Sequence, residues 1–120
     1  PVDAPAMERS LAAGRLVTLE SARSIADGMA GRAVFEVTLE HVRRLCAGVL
    51  LVSDDEILAA IRLLLSRAKL LTEGAGAAPL AAILRGISGV APGAKVVAVL
   101  SGGNQDLDLL AGWIRDGLPA

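Results

Sequence analysis

The chain has 120 residues, 53% of them hydrophobic, and its 12 basic and 13 acidic residues leave a net charge of −1. This is the length of one domain, and the mixed charges, without a basic stripe or a run of about 18 uncharged apolar residues, exclude a nucleic-acid-binding surface and a membrane span. The single cysteine, Cys46, excludes an internal disulfide and favours a reducing compartment, so we expect a cytoplasmic protein.

The first half of the chain is predicted to contain two helices. Residues 3–14 form a short helix that ends at its glycine, and residues 38–48 form a second helix that also ends at a glycine. The segment 21–33 between them has two glycines and is predicted to be a loop. One face of the second helix is apolar, which places Cys46 in the core. The members of this face are Leu39, Val42, Leu45 and Cys46.

The clearest local signal is the capping box that begins at Ser53. The Ser53 hydroxyl and the Glu56 carboxylate can each accept a hydrogen bond from the other's backbone amide, which starts a helix. Apolar residues then repeat with helical spacing. They are Ile57, Ile61, Leu64, Leu65 and Ala68. A further helix is predicted after the glycine pair in the segment 72–77, with Pro79 in its first turn. The last helix runs from Leu107 to the residues before Gly117.

Two short apolar segments, residues 49–52 and 95–100, are predicted to be strands. They are apolar on both faces, as strands covered by helices on both sides of a sheet are. Strands and helices alternate along the chain. The predicted fold class is therefore α/β, a parallel sheet flanked by helices, in a single domain over residues 1–120.

The turn Ser101-Gly102-Gly103-Asn104 follows the second predicted strand directly. Ligands bind at the carboxyl ends of strands in open α/β sheets, and glycines let a ligand approach the backbone. The free amides of the following helix would favour an anion. The alternative is an ordinary tight turn in which Asn104 caps that helix.

Glu73 is the second candidate, because Gly74 and Gly76 beside it allow a close backbone approach. It is predicted to be either a functional acid or a solvated residue at the start of a helix. His41 lies among charged residues of a predicted helix and is expected at the surface or half-buried. No spacing typical of metal ligands occurs, so we predict no metal site.

Three separated motifs together resemble one enzyme family. "SIADGMA" (24–30), "LVSDDEI…LLLSRAKLLTEGAGAA" (51–78) and "VVAVLSGGN" (96–104) occur here in the order and at the intervals seen in threonine/serine dehydratases and serine racemases. These are pyridoxal-phosphate enzymes of fold type II. The resemblance covers essentially the whole chain. It implies the C-terminal part of their cofactor-binding large domain, with the phosphate-binding loop and the Schiff-base lysine upstream of Pro1.

The resemblance also implies roles for individual residues. Ser101 would hydrogen-bond the pyridine nitrogen of the cofactor, and Glu73, followed by Gly74, would lie beside the ring. The remaining members of the turn, Gly102, Gly103 and Asn104, would shape it around the ring, so the turn would not hold the phosphate. The implied reaction is β-elimination, which converts a 3-hydroxy amino acid to a 2-oxo acid and ammonia. Serine racemase and other hydroxy-amino-acid lyases are alternatives.

The chain departs from this family in its lysines and in its metal ligands. Neither Lys69 nor Lys95 matches the catalytic lysine, so we expect the chain alone to be inactive. One acid of the racemase metal site is replaced by Ala6, so no metal is expected. A non-catalytic interaction module or a remnant is the alternative from another class. Because an incomplete sheet leaves an unpaired edge, we expect self-association or pairing with a complementary N-terminal segment.

Overall fold

A computed structural model describes residues 1–86 and 89–118 of the chain. Within these ranges the regular elements are five α-helices, one 3₁₀ turn at Asp27–Met29 and one π-helical turn at Leu64–Ala68. The helices are α1 (Ala6–Ala13), α2 (Glu36–Leu45), α3 (Asp54–Leu63), α4 (Gly74–Leu84) and α5 (Leu107–Asp116). No helix in the described ranges is long and apolar enough to cross a membrane.

The two segments predicted to be strands have no regular secondary structure in the described part of the chain. Residue Val52 is buried, and its carbonyl accepts one bond from the Val2 amide at 3.0 Å, but no ladder continues from it. Val97 and Val99, in the other segment, are 90% and 68% exposed. A strand exists only with a partner for its backbone, so the parallel sheet stays a prediction.

Helix α3 begins as the capping box predicts. The Ser53 amide donates to Glu56 Oε2 at 2.7 Å, and the Glu56 amide donates to Ser53 Oγ at 3.3 Å. The buried face of α3 packs on α4 and forms the centre of the core. This face ends at Leu64, because the chain changes to the π turn there and Lys69 closes it in the left-handed conformation (φ 58°). The predicted core residue Ala68 is therefore exposed.

The other helices form where the sequence predicts helices, but some of them begin or end at other residues than predicted. Helix α1 stops at Gly14, whose φ of 64° is one that glycine adopts without strain. Helix α2 ends at Leu45 instead of Gly48, and Cys46 follows in an extended conformation. The prediction that Cys46 is in the core is wrong, because α2 buries none of its residues. Leu45, on the same predicted face, is 78% exposed, and Cys46 is exposed as well. His41 is exposed, as expected.

Helix α4 begins earlier than predicted. It starts at Gly74, so Pro79 lies inside the helix and beyond its first turn. The prediction for Pro79 is wrong because both glycines belong to the helix, where backbone of the segments 25–26 and 101–102 packs against them. Helix α5 spans the predicted residues and ends before Gly117.

Ile61→Asp is expected to unfold the chain. Ile61 is 1% exposed in the core between α3 and α4, and an unpaired buried charge costs several kcal/mol against a total stability of about 5–15 kcal/mol. The matched control is Ala59→Asp, which adds the same charge at an exposed position of the same helix. Circular dichroism melting curves check both variants. An unchanged melting curve for Ile61→Asp would show that the buried face of α3 is assigned wrongly.

Candidate functional site

Three separate stretches of backbone meet at the start of α4. They are the loop 24–28, the residues 73–76, and the turn 101–104 that sequence reasoning singled out. Two hydrogen bonds join the last two stretches: the Asn104 amide donates to Glu73 Oε2 at 3.1 Å, and the Glu73 amide donates to the Gly102 carbonyl at 3.4 Å. The structure therefore brings the predicted residues of the segments 73–74 and 101–104 into one place.

Glycines, which have no side chain, make this close approach of the three stretches possible. A Cβ on Gly76 would clash with the carbonyl oxygen of Ser101, and a Cβ on Gly74 would clash with the carbonyl oxygen of Ile25. A Cβ on Gly102 would clash with the Glu73 carboxylate, and the φ of 74° at Gly102 favours glycine as well. Gly74 and Gly76 are thus required by their contacts with backbone, and Gly102 is favoured by its positive φ.

Glu73 is the N-cap residue of α4, but its carboxylate makes no bond to its own helix. The side chain is half-buried and turns to the backbone amide of Asn104 instead. A negative group at a helix N-terminus is favoured by the helix dipole. The anion at the glycine turn is therefore a carboxylate of the chain itself. Glu73 does lie at the start of a helix, as the alternative had it, and its role as a functional acid stays a prediction.

The start of α5 differs from both predictions made for it. Asp106 caps this helix, and its Oδ1 accepts from the amides of Asp108 at 2.9 Å and Leu109 at 3.0 Å. Asn104 is therefore not the N-cap. The predicted external anion at these amides is also wrong, because Asp106 already occupies them. The sequence does indicate the correct N-cap, because Asp106 directly precedes the apolar residues that repeat with helical spacing.

Sequence reasoning missed Asp54, which fastens the loop 24–28 to α3. Its Oδ1 accepts from the Ser24 hydroxyl at 2.5 Å, and its Oδ2 accepts from the Ile25 amide at 3.0 Å. From the sequence, Asp54 is only one of three acids in a helix's first turn, and no local pattern indicates a partner 30 residues away. The "SIADGMA" motif indicated the loop but not what holds it.

An open cleft of about 550 Å³ lies beside the meeting point. Its lining includes Ser24, Asp54, Glu73, Asn104 and Trp113. Of the turn 101–104, Asn104 lines this cleft and Ser101 does not. Ser101 is exposed, and its hydroxyl has no hydrogen-bond partner within residues 1–86 and 89–118. A hydroxyl can both donate and accept, so Ser101 is available to a polar atom of a ligand.

The other candidate residues lie outside this arrangement. The His41 Nδ1 is 2.7 Å from the Val37 carbonyl oxygen of its own helix. The Lys69 Nζ donates to the Ser66 carbonyl at 2.5 Å, and Lys95 is exposed. Among the described residues, no cluster of three or more His, Cys, Asp or Glu side chains could hold a metal ion.

Comparison with known proteins shows that the chain is similar to enzymes that depend on pyridoxal phosphate. The family model described as "Pyridoxal-phosphate dependent enzyme" matches residues 1–102. The chain is 42% identical over 118 residues to an L-threonine ammonia-lyase of Geobacter sulfurreducens. The aligned residues make up 98% of this chain and 29% of that protein. The chain spans less than a third of the length of the curated relatives it matches.

Solved structures of similar enzymes share the fold of this chain. The processed form of threonine deaminase isoform 2 from Solanum lycopersicum superposes with a TM-score of 0.83 at 32% identity, over 92% of this chain and 31% of that one. The maize serine racemase superposes with a TM-score of 0.81 at 32% identity, over 97% of this chain and 37% of that one.

Gly76→Ala is expected to destabilise the chain by about 1–3 kcal/mol, the usual cost of overpacking. The added methyl group would push the Ser101 carbonyl away from α4 and break the contact between the two segments. Gly112→Ala is the matched control, because a Cβ there meets nothing within 4 Å and the substitution favours the helix by about 0.5–1 kcal/mol. Urea unfolding measures both. Equal stability of the two variants would contradict the close approach at Gly76.

Proposed function

Because the chain belongs to the family of pyridoxal-phosphate dependent enzymes, we propose that it forms one wall of the cofactor site in a threonine/serine dehydratase. The observation that supports this most is the meeting of Glu73 with the turn 101–104, in which the unpartnered hydroxyl of Ser101 is exposed. Relatives named L-threonine ammonia-lyase and L-threonine dehydratase point to a 3-hydroxy amino acid as substrate.

The residues present fit the ring of pyridoxal phosphate and do not fit its phosphate. Gly102 and Gly103 leave the turn exposed and free of side chains, and the Ser101 hydroxyl can hydrogen-bond a ring nitrogen. A phosphate needs free amides, but the Asn104 amide is bonded to Glu73 and two amides of α5 are bonded to Asp106. This wall would therefore contact the ring alone, and another segment would hold the phosphate.

The chain's own contribution is to set the polarity around the ring. Pyridoxal phosphate, when bound, supplies an electron sink that lets an amino acid lose its α-proton and then its β-hydroxyl group. A neutral hydroxyl such as that of Ser101 holds a hydrogen bond to the pyridine nitrogen without placing a full positive charge there. The Glu73 carboxylate is kept at the turn by the Asn104 amide and gives this wall a fixed negative charge.

The lysine of the reaction would come from a different segment. Neither Lys69 nor Lys95 makes a hydrogen bond to the site within the described residues, so this chain would be the C-terminal part of the large domain. The exposed valines of the segment 95–100 and the exposed Leu50 support a complementary N-terminal segment, or a second copy of the chain, as partner. Burying such side chains removes apolar surface from water, which favours association.

Serine racemase activity is the second candidate. The likeness to the maize serine racemase, at a TM-score of 0.81, favours it. The dehydratase is preferred because the sequence relatives at 42% and 46% identity are named for ammonia release from threonine or for its dehydration.

The chain alone is expected to form no 2-oxo acid from threonine and added pyridoxal phosphate at enzyme rates of about 1–10³ per second, because it places no lysine at the site. The companion protein is a chimera, in which the aligned 118 residues of this chain replace the matching segment of the Geobacter sulfurreducens L-threonine ammonia-lyase. We expect the chimera to bind the cofactor and to turn over threonine or serine. Turnover by the chain alone would contradict the proposed division of the site, and a folded chimera without cofactor would contradict the site itself.

Ser101→Ala in this chimera is expected to lower cofactor affinity by up to about tenfold, because it removes one neutral hydrogen bond worth about 0.5–1.5 kcal/mol. Ser101→Asp would hold a proton on the pyridine nitrogen and is expected to change the ratio of elimination to transamination products. Ser21→Ala, at an exposed serine elsewhere, is the control and should change neither quantity. If cofactor dissociation and product ratio stay constant in both Ser101 variants, Ser101 is only a turn residue.

A further inference from the structure

We propose that Asp54 is a positioning residue, which holds the loop 24–28 against α4 and thereby fixes the Glu73 carboxylate at the turn 101–104. The effect of Asp54 on catalysis rests on the proposed function. The coupling of the loop 24–28 to the position of Glu73 does not. No motif of the sequence and no feature of the cofactor wall described above requires this role.

The first step is the anchoring of the loop by Asp54. Both of its carboxylate oxygens accept hydrogen bonds from outside its own helix, one from the Ser24 hydroxyl and one from the Ile25 amide. Ser24 Oγ in turn accepts from the Ala26 amide at 3.0 Å, which ties the next residue into the same network. Hydrogen bonds to a charged acceptor are about twice as strong as neutral ones. Asp54 is therefore the main polar anchor of this loop on α3.

The second step is the contact between the loop and the start of α4. Ala26 is fully buried in the core, and the backbone of Ile25 and Ala26 lies against Gly74, where no Cβ would fit. A Cβ on Gly28 would be 3.4 Å from the Ala75 Cβ, so the other end of the loop also reaches this turn of α4. The loop is thus the support on which the first turn of α4 rests.

The third step leads from α4 to the turn. Glu73 directly precedes Gly74, so a shift of Gly74 moves the carboxylate whose Oε2 accepts from the Asn104 amide. Side chains from all three stretches line the same cleft of about 550 Å³. Asp54 also carries a charge into this cleft, so its effect could be electrostatic instead of mechanical. Ser24 separates the two, because losing its hydroxyl removes one of the two hydrogen bonds to Asp54 and the bond to the Ala26 amide without changing any charge.

The test is amide hydrogen exchange at Asn104, measured by NMR on the 120-residue chain. Asp54→Ala and Ser24→Ala are both expected to speed exchange at Asn104 on the order of tenfold, the factor that the loss of one hydrogen bond corresponds to. Ser24→Thr keeps the hydroxyl and is expected to restore the protection. Asp55→Ala is the matched control, because it removes the same charge from the next, exposed residue of α3 and should leave Asn104 unchanged.

Cofactor affinity in the chimera is the second measurement. Asp54→Ala and Ser24→Ala should raise the cofactor dissociation constant by a similar factor, while Asp55→Ala should not. Faster exchange at Ile25 with unchanged exchange at Asn104 would overturn the proposal, since Asp54 would then fasten only its own loop. An effect of Asp55→Ala equal to that of Asp54→Ala would overturn it in favour of charge. If the unsubstituted chimera binds no cofactor, the proposed function fails, and the exchange results still decide the coupling.

Discussion

The site depends on a contact between backbones that only glycine permits. Gly76 brings α4 onto the carbonyl oxygen of Ser101, and Gly102 leaves room for the Glu73 carboxylate on the other side of the same contact. The hydrogen bond from the Asn104 amide to Glu73 then joins the two segments across 31 positions of the chain. Because the carboxylate is held by an amide of the turn, the negative charge lies beside the turn that carries the Ser101 hydroxyl.

The helix pair α3 and α4 carries this contact. Ile57 and Ile61 are 0% and 1% exposed against the small residues of α4, of which Ala77 and Ala81 are as deeply buried. Alanine and glycine on α4 let its backbone approach both α3 and the turn 101–104. Core packing and site geometry therefore depend on the same small residues. Interiors pack closely and transmit strain, which is why Asp54 at the start of α3 can influence Glu73 at the start of α4.

Sequence reasoning predicts the elements whose signals are local. The capping box at Ser53, the stop at Gly14 and the amphipathic pattern from Leu107 are confirmed, because a cap or a periodicity is fixed by neighbours in the chain. It fails where distant contacts decide. The Asp54 anchor lies 30 positions from Ser24, and Gly74 begins α4 because the loop at Ile25 packs on it. The strands stay a prediction, since strand formation depends on partners that a local pattern does not supply. The turn 101–104 was predicted from its glycines after an apolar segment, and the roles of its residues came only from the resemblance to a family. The structure adds that Glu73 accepts a hydrogen bond from the Asn104 amide of this turn.

A crystal structure of the cofactor-loaded chimera tests the central claim most directly. The account predicts that the pyridine nitrogen lies within hydrogen-bond distance of Ser101 Oγ, about 2.7–3.2 Å, with Glu73 still accepting from the Asn104 amide. A ring bound away from the turn 101–104, or a Glu73 carboxylate that has left Asn104 to bind elsewhere, would contradict it.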